Sequence, residues 1–232
     1  MRTFREAAQS DRFTITADLT LQRDSGADDV ARQVDMLGPH VDGIQVTDNP
    51  WAWVQMSAVA AASLVVQQGI DPIAILTCRD RNRIALESDL LGLRAIGVTS
   101  VLLMRGHKIP KDHSVTATPV FDASGRELVA LAAKMADQET SAASEEFFIG
   151  VGARAMRPPR GWNAEALAVR SAAGARFLQT QLCMNVDILR EYMKRLVETR
   201  MTWKYSVMVS LSTLPSAKTA KWLKNNQGVS AE

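Results

Sequence analysis

In Val101-Leu102-Leu103-Met104-Arg105-Gly106-His107-Lys108, four apolar residues run straight into Arg-Gly-His-Lys. An apolar run this short reads as a strand buried on both faces rather than as a helix. Its polar tail then falls at the strand's carboxyl end, where parallel α/β sheets place their ligands. Gly106 permits a sharp turn or a close approach to a ligand. Arg105, His107 and Lys108 bring charge and hydrogen-bond donors to the same place. A strand followed by a basic loop is common, so its weight depends on the segments around it.

Those segments alternate. Residues 72–78 (PIAILTC) form the preceding strand, followed by Arg79-Asp80-Arg81-Asn82. Residues 83–96, with Ile84, Leu86, Leu90, Leu91, Leu93 and Ile96, predict an amphipathic helix between the two strands. Earlier, residues 41–47 (VDGIQVT) read as a strand ending at Thr47-Asp48-Asn49-Pro50, and 55–68 as its helix. Residues 12–19 (RFTITADL) are the first strand, 27–37 its helix and 1–11 a polar leader. Downstream, a loop over 105–124 holds Pro110 and Pro119, and loops of that length are usually functional or mobile. A helix over 126–137 and a Ser-, Ala- and Glu-rich link lead to a strand at 147–152 (FFIGVG). Asn163 is a candidate cap for a helix running to Ala173, with Gly174 at its end. Residues 176–181 (RFLQTQ) are a strand, 186–198 a helix, 205–211 (YSVMVSL) a strand and 216–225 a last helix.

Most strand starts recur at roughly 25–35 residues, a normal length for βαβ units with right-handed crossovers. The fold class is therefore α/β, expected as a single domain over residues 1–232. An open doubly wound sheet and a (β/α)8 TIM-type barrel compete. The first βα turn, Leu19-Thr20-Leu21-Gln22-Arg23, lacks the Gly-x-Gly-x-x-Gly of a dinucleotide-binding turn. Polar residues close most strands instead: Asp18, Thr47, Thr77, Arg105, Gln181 and Ser210. Contributions from many strands to one rim suit the barrel. Seven βα units are visible and an eighth is missing or incomplete. Either the chain is a fragment, or the barrel leaves a sheet edge for a second copy or a partner subunit to cover.

Composition narrows the function classes. A formal net charge of +2, with scattered basic residues, gives no electrostatic case for nucleic acid or an acidic membrane. No apolar run reaches the ~18 residues of a membrane span, and the first residues lack a signal core. Two cysteines, Cys78 and Cys183, fit a reducing, cytoplasmic setting. With His107 they are conceivable zinc ligands, but no close Cys-x-x-Cys spacing supports a metal, and inert buried thiols are the better reading. Arg154, Arg157 and Arg160 are either a solvated loop or a grip for phosphate or carboxylate. Trp51 and Trp53 either cover the mouth or pack under the next helix.

Three strand ends carry a resemblance. Ile75-Leu76-Thr77-Cys78 is similar to the His-Leu-Thr-Cys of methylenetetrahydrofolate reductases. Leu103-Met104-Arg105-Gly106-His107 resembles their Leu-Arg-Gly-Asp turn, and Gly174-Ala175-Arg176-Phe177-Leu178-Gln179-Thr180-Gln181 their Gly-Ala-x-x-x-x-Thr-Gln strand. Pro119-Val120-Phe121-Asp122 also resembles some bacterial members. The match runs in order over residues 14–223.

The resemblance implies a (β/α)8 barrel with FAD across the strand ends. Hydride would pass from NAD(P)H through flavin to 5,10-methylenetetrahydrofolate, giving 5-methyltetrahydrofolate in one-carbon metabolism. It gives Thr47, Thr77, Arg105, Gly106 and Arg170 to the cofactor, and Gln181 and Asp18 to the reduced folate substrate. Asp18 stands for the family's glutamate, the acid that helps open the folate's imidazolidine ring. His107 replaces an aspartate beside the flavin and would alter the charge there. The chain also departs from the pattern at Ile75, where the family has histidine, at Val151-Gly152-Ala153, where it has Tyr-Pro-Glu, at Ala166 and Val169, where it often has polar and basic FAD contacts, and at Ser210, where it has glycine. These departures keep a second reading open: a flavin-free barrel subunit that binds reduced folate without reductase activity of its own.

Overall fold

The computed structural model describes residues 3–110, 116–135 and 146–227. The chain forms two compact units, Met1–Ile149 and Gly150–Glu232.

In the first unit, β1 (Thr16–Asp18), β2 (Gly43–Val46), β3 (Pro72–Thr77) and β4 (Ser100–Met104) pair in parallel in chain order. Helices α2 (Ala27–Leu37), α3 (Ala58–Gln67), α4 (Arg83–Ala95) and α5 (Gly125–Lys134) follow the four strands in turn. Every residue of β3 is buried, as its unbroken apolar run requires. The helices start where side chains can accept their free amides: Ser57 from Ala60, Asn82 from Ala85, and Ser124 from Glu127 in a reciprocal capping box. Leu86, Leu90 and Leu93 of α4 are fully buried, contributing about 2 kcal/mol each. Ile84 and Leu91, part of the same apolar pattern, face solvent.

Register sorts the strand residues by face. Thr16 pairs with Gly43, Asp18 with Gln45, and Gln45 with Ile73. Alternation then puts Thr16, Asp18, Gly43, Gln45, Ile73, Ile75 and Thr77 on one face, and Ile44, Val46, Ala74 and Leu76 on the other.

Two expectations change here. The polar leader contains a helix, α1 (Phe4–Ala8), started by a capping box of Thr3 and Glu6. Phe4 is fully buried, its ring centroid 5.8 Å from that of Phe148. The charged neighbours hide this single buried turn from a reading by composition. The first strand is shorter than residues 12–19, because Phe13 and Ile15, although they alternate as in a strand, point into solvent. The described parts of the loop over 105–124 carry no helix or strand; its residues 111–115 lie outside the described residues. So do the end of the helix expected to reach 137 and the link up to residue 145.

The second unit holds most of β5 (Phe148–Ala153), then α6 (Glu165–Ala172), β6 (Phe177–Thr180), α7 (Val186–Glu198), β7 (Ser206–Met208) and α8 (Ala217–Gln227). β5, β6 and β7 pair in parallel, again in chain order. Gly150 lies opposite Phe177, and a Cβ there would overlap the Phe177 ring, so the glycine makes room for the aromatic. Tyr205 donates from its hydroxyl to the Leu167 carbonyl at 2.6 Å, tying the start of β7 to α6. Asn163 is not itself the cap of α6. Ala164 takes that position with φ 58°, and Asn163 accepts from the Glu165 amide at 3.1 Å. Among the described residues, no helix is long and apolar enough to cross a membrane.

Candidate functional site

The loops after β2, β3 and β4 meet at the carboxyl end of β3. Their junction is Asp48, a buried carboxylate. Its Oδ2 accepts from the Thr77 amide at 2.8 Å and from the Thr77 hydroxyl at 2.9 Å. Arg81 grips the same carboxylate with both Nη atoms, at 2.8 and 2.9 Å, and reaches Asp89 with Nε at 2.6 Å. Burial alone would lower the Arg81 pKa, but Asp48 and Asp89 outweigh it and raise it. Arg79 is only 2% exposed, and its charge is balanced by Asp80 at 2.6 and 2.7 Å. Burial pushes Asp80 upward, and the Arg79 hydrogen bonds and charge bring it below the ordinary carboxylate value. Buried charges persist only when paired in this way.

The turn after β2 is bent against its own preferences. Asn49, Trp51 and Ala52 all take left-handed backbone conformations, with φ of 43°, 58° and 66°. Such strain in non-glycine residues gathers at functional sites and needs surrounding support. Arg79 supplies part of it by donating to the Asn49 carbonyl at 2.9 Å. Gln55 supplies more, donating from Nε2 to the Thr47 carbonyl at 2.7 Å and to its hydroxyl oxygen at 3.0 Å. The bend brings Trp51 onto His107, their rings stacked 4.7 Å apart at 22°.

After β4, Gly106 has φ 85° and lies so close to β3 that a Cβ would stand 3.1 Å from both Thr77 Cβ and Arg79 Cβ. Arg105 lies over the Phe121 ring, 4.2 Å from its centroid. Phe121 donates from its amide to the Cys78 carbonyl at 3.1 Å, so this segment also folds back on the end of β3. Cys78 is buried, and desolvation pushes its thiol up to about 11. Cys183 is half-buried, its thiol donating to the Asn185 carbonyl. Among the described residues, no three metal-ligating side chains come together.

Asp18 ends β1 beside Gln45 of β2. Its surface is largely open to solvent, yet protein crowds the carboxyl, and the resulting desolvation raises its pKa. Next to it, Gln45 is buried, donates to Thr16 Oγ1 at 3.2 Å, and leaves its Oε1 without a partner among the described residues.

In the second unit, Arg170 donates from Nη1 to the Gly152 carbonyl at 2.8 Å. Gln181 lies one residue past β6 with an exposed side chain, while its amide donates to the Ala153 carbonyl at 2.7 Å. Gln179 faces Ser210, donating to its hydroxyl at 3.3 Å, and its Oε1 is also buried without a partner among the described residues. Arg157 pairs loosely with Glu191 at 3.5 Å.

Of the residues expected at the site, Thr47, Thr77, Gly106 and His107 are brought together around the end of β3. Sequence reasoning missed Asp48, Gln45 and Gln179. Asp48 hides in Asp-Asn-Pro, an ordinary turn signal. Gln45 had a signal: it shares the face of Thr47 and is a polar residue inside an apolar strand.

The model of the methylenetetrahydrofolate reductase family matches residues 3–230 of the chain. No individual curated protein matches it in sequence. Solved structures match it in fold. A 2,3-dimethylmalate lyase, a PEP mutase/isocitrate lyase superfamily member, has TM-score 0.55 and 10% identity, over 97% of this chain and 82% of that one. A mutant tryptophan synthase alpha-subunit from Pyrococcus furiosus has TM-score 0.56 and 12% identity, over 91% and 83%. A type I 3-dehydroquinate dehydratase from Clostridium difficile has TM-score 0.53 and 12% identity, over 97% and 95%. These are TIM-barrel enzymes, and at such low identity the likeness concerns fold alone.

Proposed function

The chain belongs to the methylenetetrahydrofolate reductase family, and on that premise we propose that it is an oxidoreductase acting on a one-carbon unit carried by folate. The substrate is 5,10-methylenetetrahydrofolate, the product 5-methyltetrahydrofolate and the source of reducing equivalents NAD(P)H. The observation that carries this reading is the family match over residues 3–230. The raised pKa of Asp18 supports it, since a carboxyl that holds its proton longer is a better general acid. In this reading Asp18 gives a proton to folate N10 as the bond from N10 to the methylene carbon breaks. That carbon takes the hydride, so one proton and one hydride are added in all. Gln181 contacts the folate, and His107, held by its stack on Trp51, modulates the local charge.

In the family, FAD carries the hydride. The residues assigned to it in this chain do not fit that task. The Thr77 hydroxyl donates to Asp48, and Thr47 is tied to Gln55. Gly106 turns the side where a Cβ would stand onto Thr77 and Arg79. Arg170 spends Nη1 on the Gly152 carbonyl, Arg105 lies on Phe121, and Ile75 offers only hydrocarbon. The same committed donors favour one second reading, a flavin-free subunit that binds reduced folate without turnover of its own.

The purified protein separates these readings. Its absorbance is scanned for flavin, tetrahydrofolate binding is measured by calorimetry, and turnover of methylenetetrahydrofolate is assayed with NADH and NADPH. Turnover with either nucleotide supports the oxidoreductase. Folate binding without turnover transfers support to the binding subunit. A protein that does neither overturns both, and a stoichiometric flavin band overturns the argument from the donor set.

A further inference from the structure

Gln45 is an unusual residue to find in the middle of β2. It is 4% exposed, with Ile44 and Val46 on either side fully buried on the opposite face. A polar side chain in such a place normally has all its hydrogen bonds made within the protein. In Gln45 one of the two polar side-chain atoms has a partner. Nε2 donates to Thr16 Oγ1 at 3.2 Å, and Oε1 accepts from nothing among the described residues. That bond to Thr16 shows which way the side chain points: onto the face that also carries Asp18, its register partner on β1.

An unpartnered buried carbonyl persists where a ligand or a water completes it. The backbone partner of Gln45 on β1 is Asp18, which the proposed function makes the acid. We propose that Gln45 is a substrate-recognition residue whose Oε1 accepts a hydrogen bond from a ring N–H of the reduced folate's pterin. This rests on the folate reading above and deepens it. The chemistry selects the ligand class. An amide oxygen only accepts, so the ligand must donate. The oxygen is neutral and its neighbour in register on β3 is Ile73, so a neutral N–H suits it better than an ammonium. A pterin ring carries such donors in its lactam N–H and its amino group. Adjacent parallel strands are about 4.8 Å apart, so a flat heterocycle can meet Asp18 and Gln45 at once.

The test uses Gln45→Met, which keeps length and apolar volume but removes the acceptor. Tetrahydrofolate affinity is measured by calorimetry, with p-aminobenzoylglutamate, which lacks the pterin, as control. Tetrahydrofolate is expected to bind about tenfold more weakly, the loss of one hydrogen bond to a buried partner, while the control is unchanged. The melting temperature of the ligand-free variant is expected to hold or rise, since an unsatisfied buried atom has been removed; a merely structural glutamine would instead lower it. A second measurement needs no variant: in the wild-type protein labelled at glutamine, the Gln45 side-chain NMR signals should shift with saturating tetrahydrofolate and not with the control. Unchanged affinity in a folded variant, or unmoved Gln45 signals, overturns this proposal and leaves the folate reading standing. Failure of the wild-type protein to bind tetrahydrofolate overturns the folate reading, and this proposal with it.

Discussion

Asp48 takes both polar hydrogens of Thr77: one carboxylate oxygen accepts the amide at 2.8 Å and the hydroxyl at 2.9 Å. The bond pair fastens the loop after β2 to the last residue of β3. It also orients Thr77, leaving only the lone pairs of its hydroxyl for anything else. Arg81 closes the opposite side of the carboxylate, so the end of β3 is a small network of buried charge.

Removing the centre of that network strips Arg81 of its bidentate partner, leaving it only Asp89, and leaves the Thr77 amide without its acceptor. Asp48→Ala is expected to destabilise the protein by about 3–5 kcal/mol, the usual result of breaking one side of a buried ion pair. Urea melts would measure it. Asp48→Asn keeps the shape but not the charge and should fall between the variant and wild type. A loss under about 1 kcal/mol for Asp48→Ala would place the pair in the class of solvated surface bridges instead.

Gly106 is the second point of close approach. An added Cβ meets both a left-handed backbone, φ 85°, and contacts of 3.1 Å to Thr77 and Arg79. Gly106→Ala is expected to cost about 2 kcal/mol or more, adding backbone strain to overpacking. A thermal melt of the variant checks this, and Gly69→Ala, with φ 76° but open space at the Cβ, isolates the backbone part.

Asp18 makes stability depend on pH in an unusual direction for a carboxylate. Its folded pKa lies above 3.8, the ordinary value, because of desolvation. The folded state therefore binds the proton more tightly than the unfolded one. Stability from this group is highest below 3.8 and declines as pH rises through the folded pKa. Asp18→Asn should be more stable than wild type at neutral pH, with the gap closing below pH 3.8. In the proposed reaction the same variant loses turnover while tetrahydrofolate still binds. Full turnover in Asp18→Asn would remove it as the acid.

The two cysteines should behave differently. Cys78 is buried with its thiol pushed up to about 11, so it stays protonated at pH 8 and resists alkylation. Cys183 is half-buried and should react first. Mass spectrometry after brief iodoacetamide treatment should find one label on the folded protein and two in urea. Rapid labelling of Cys78 in the folded protein would contradict its burial.

Much of this was legible in the sequence where local pattern sufficed. Residues 27–37 and 186–198 read as helices and are α2 and α7 to the residue. β3 and β4 stand out as unbroken apolar runs. The helix α1 was not legible, since its one buried aromatic sits among charges and depends on Phe148, far along the chain. Thr47, Thr77, Gly106 and His107 were candidates because strand ends are where α/β folds gather function. Asp48 was not, because what distinguishes it is a pair of partners 29 and 33 residues away.

The order of apolar runs and helical periods by itself determined the alternation of strand and helix, and the polar residues that close most strands marked which end would carry chemistry. Those are local properties of side chains three or four positions apart. Whether a polar side chain at that end is free or already engaged was decided only by the tertiary structure. Thr77 and Arg79 look available in the sequence and are bound inward; Gln45 looks like filler and keeps a buried acceptor unpartnered among the described residues. A hydrogen bond is satisfied by whatever lies within about 3 Å, and only the fold brings distant residues that close.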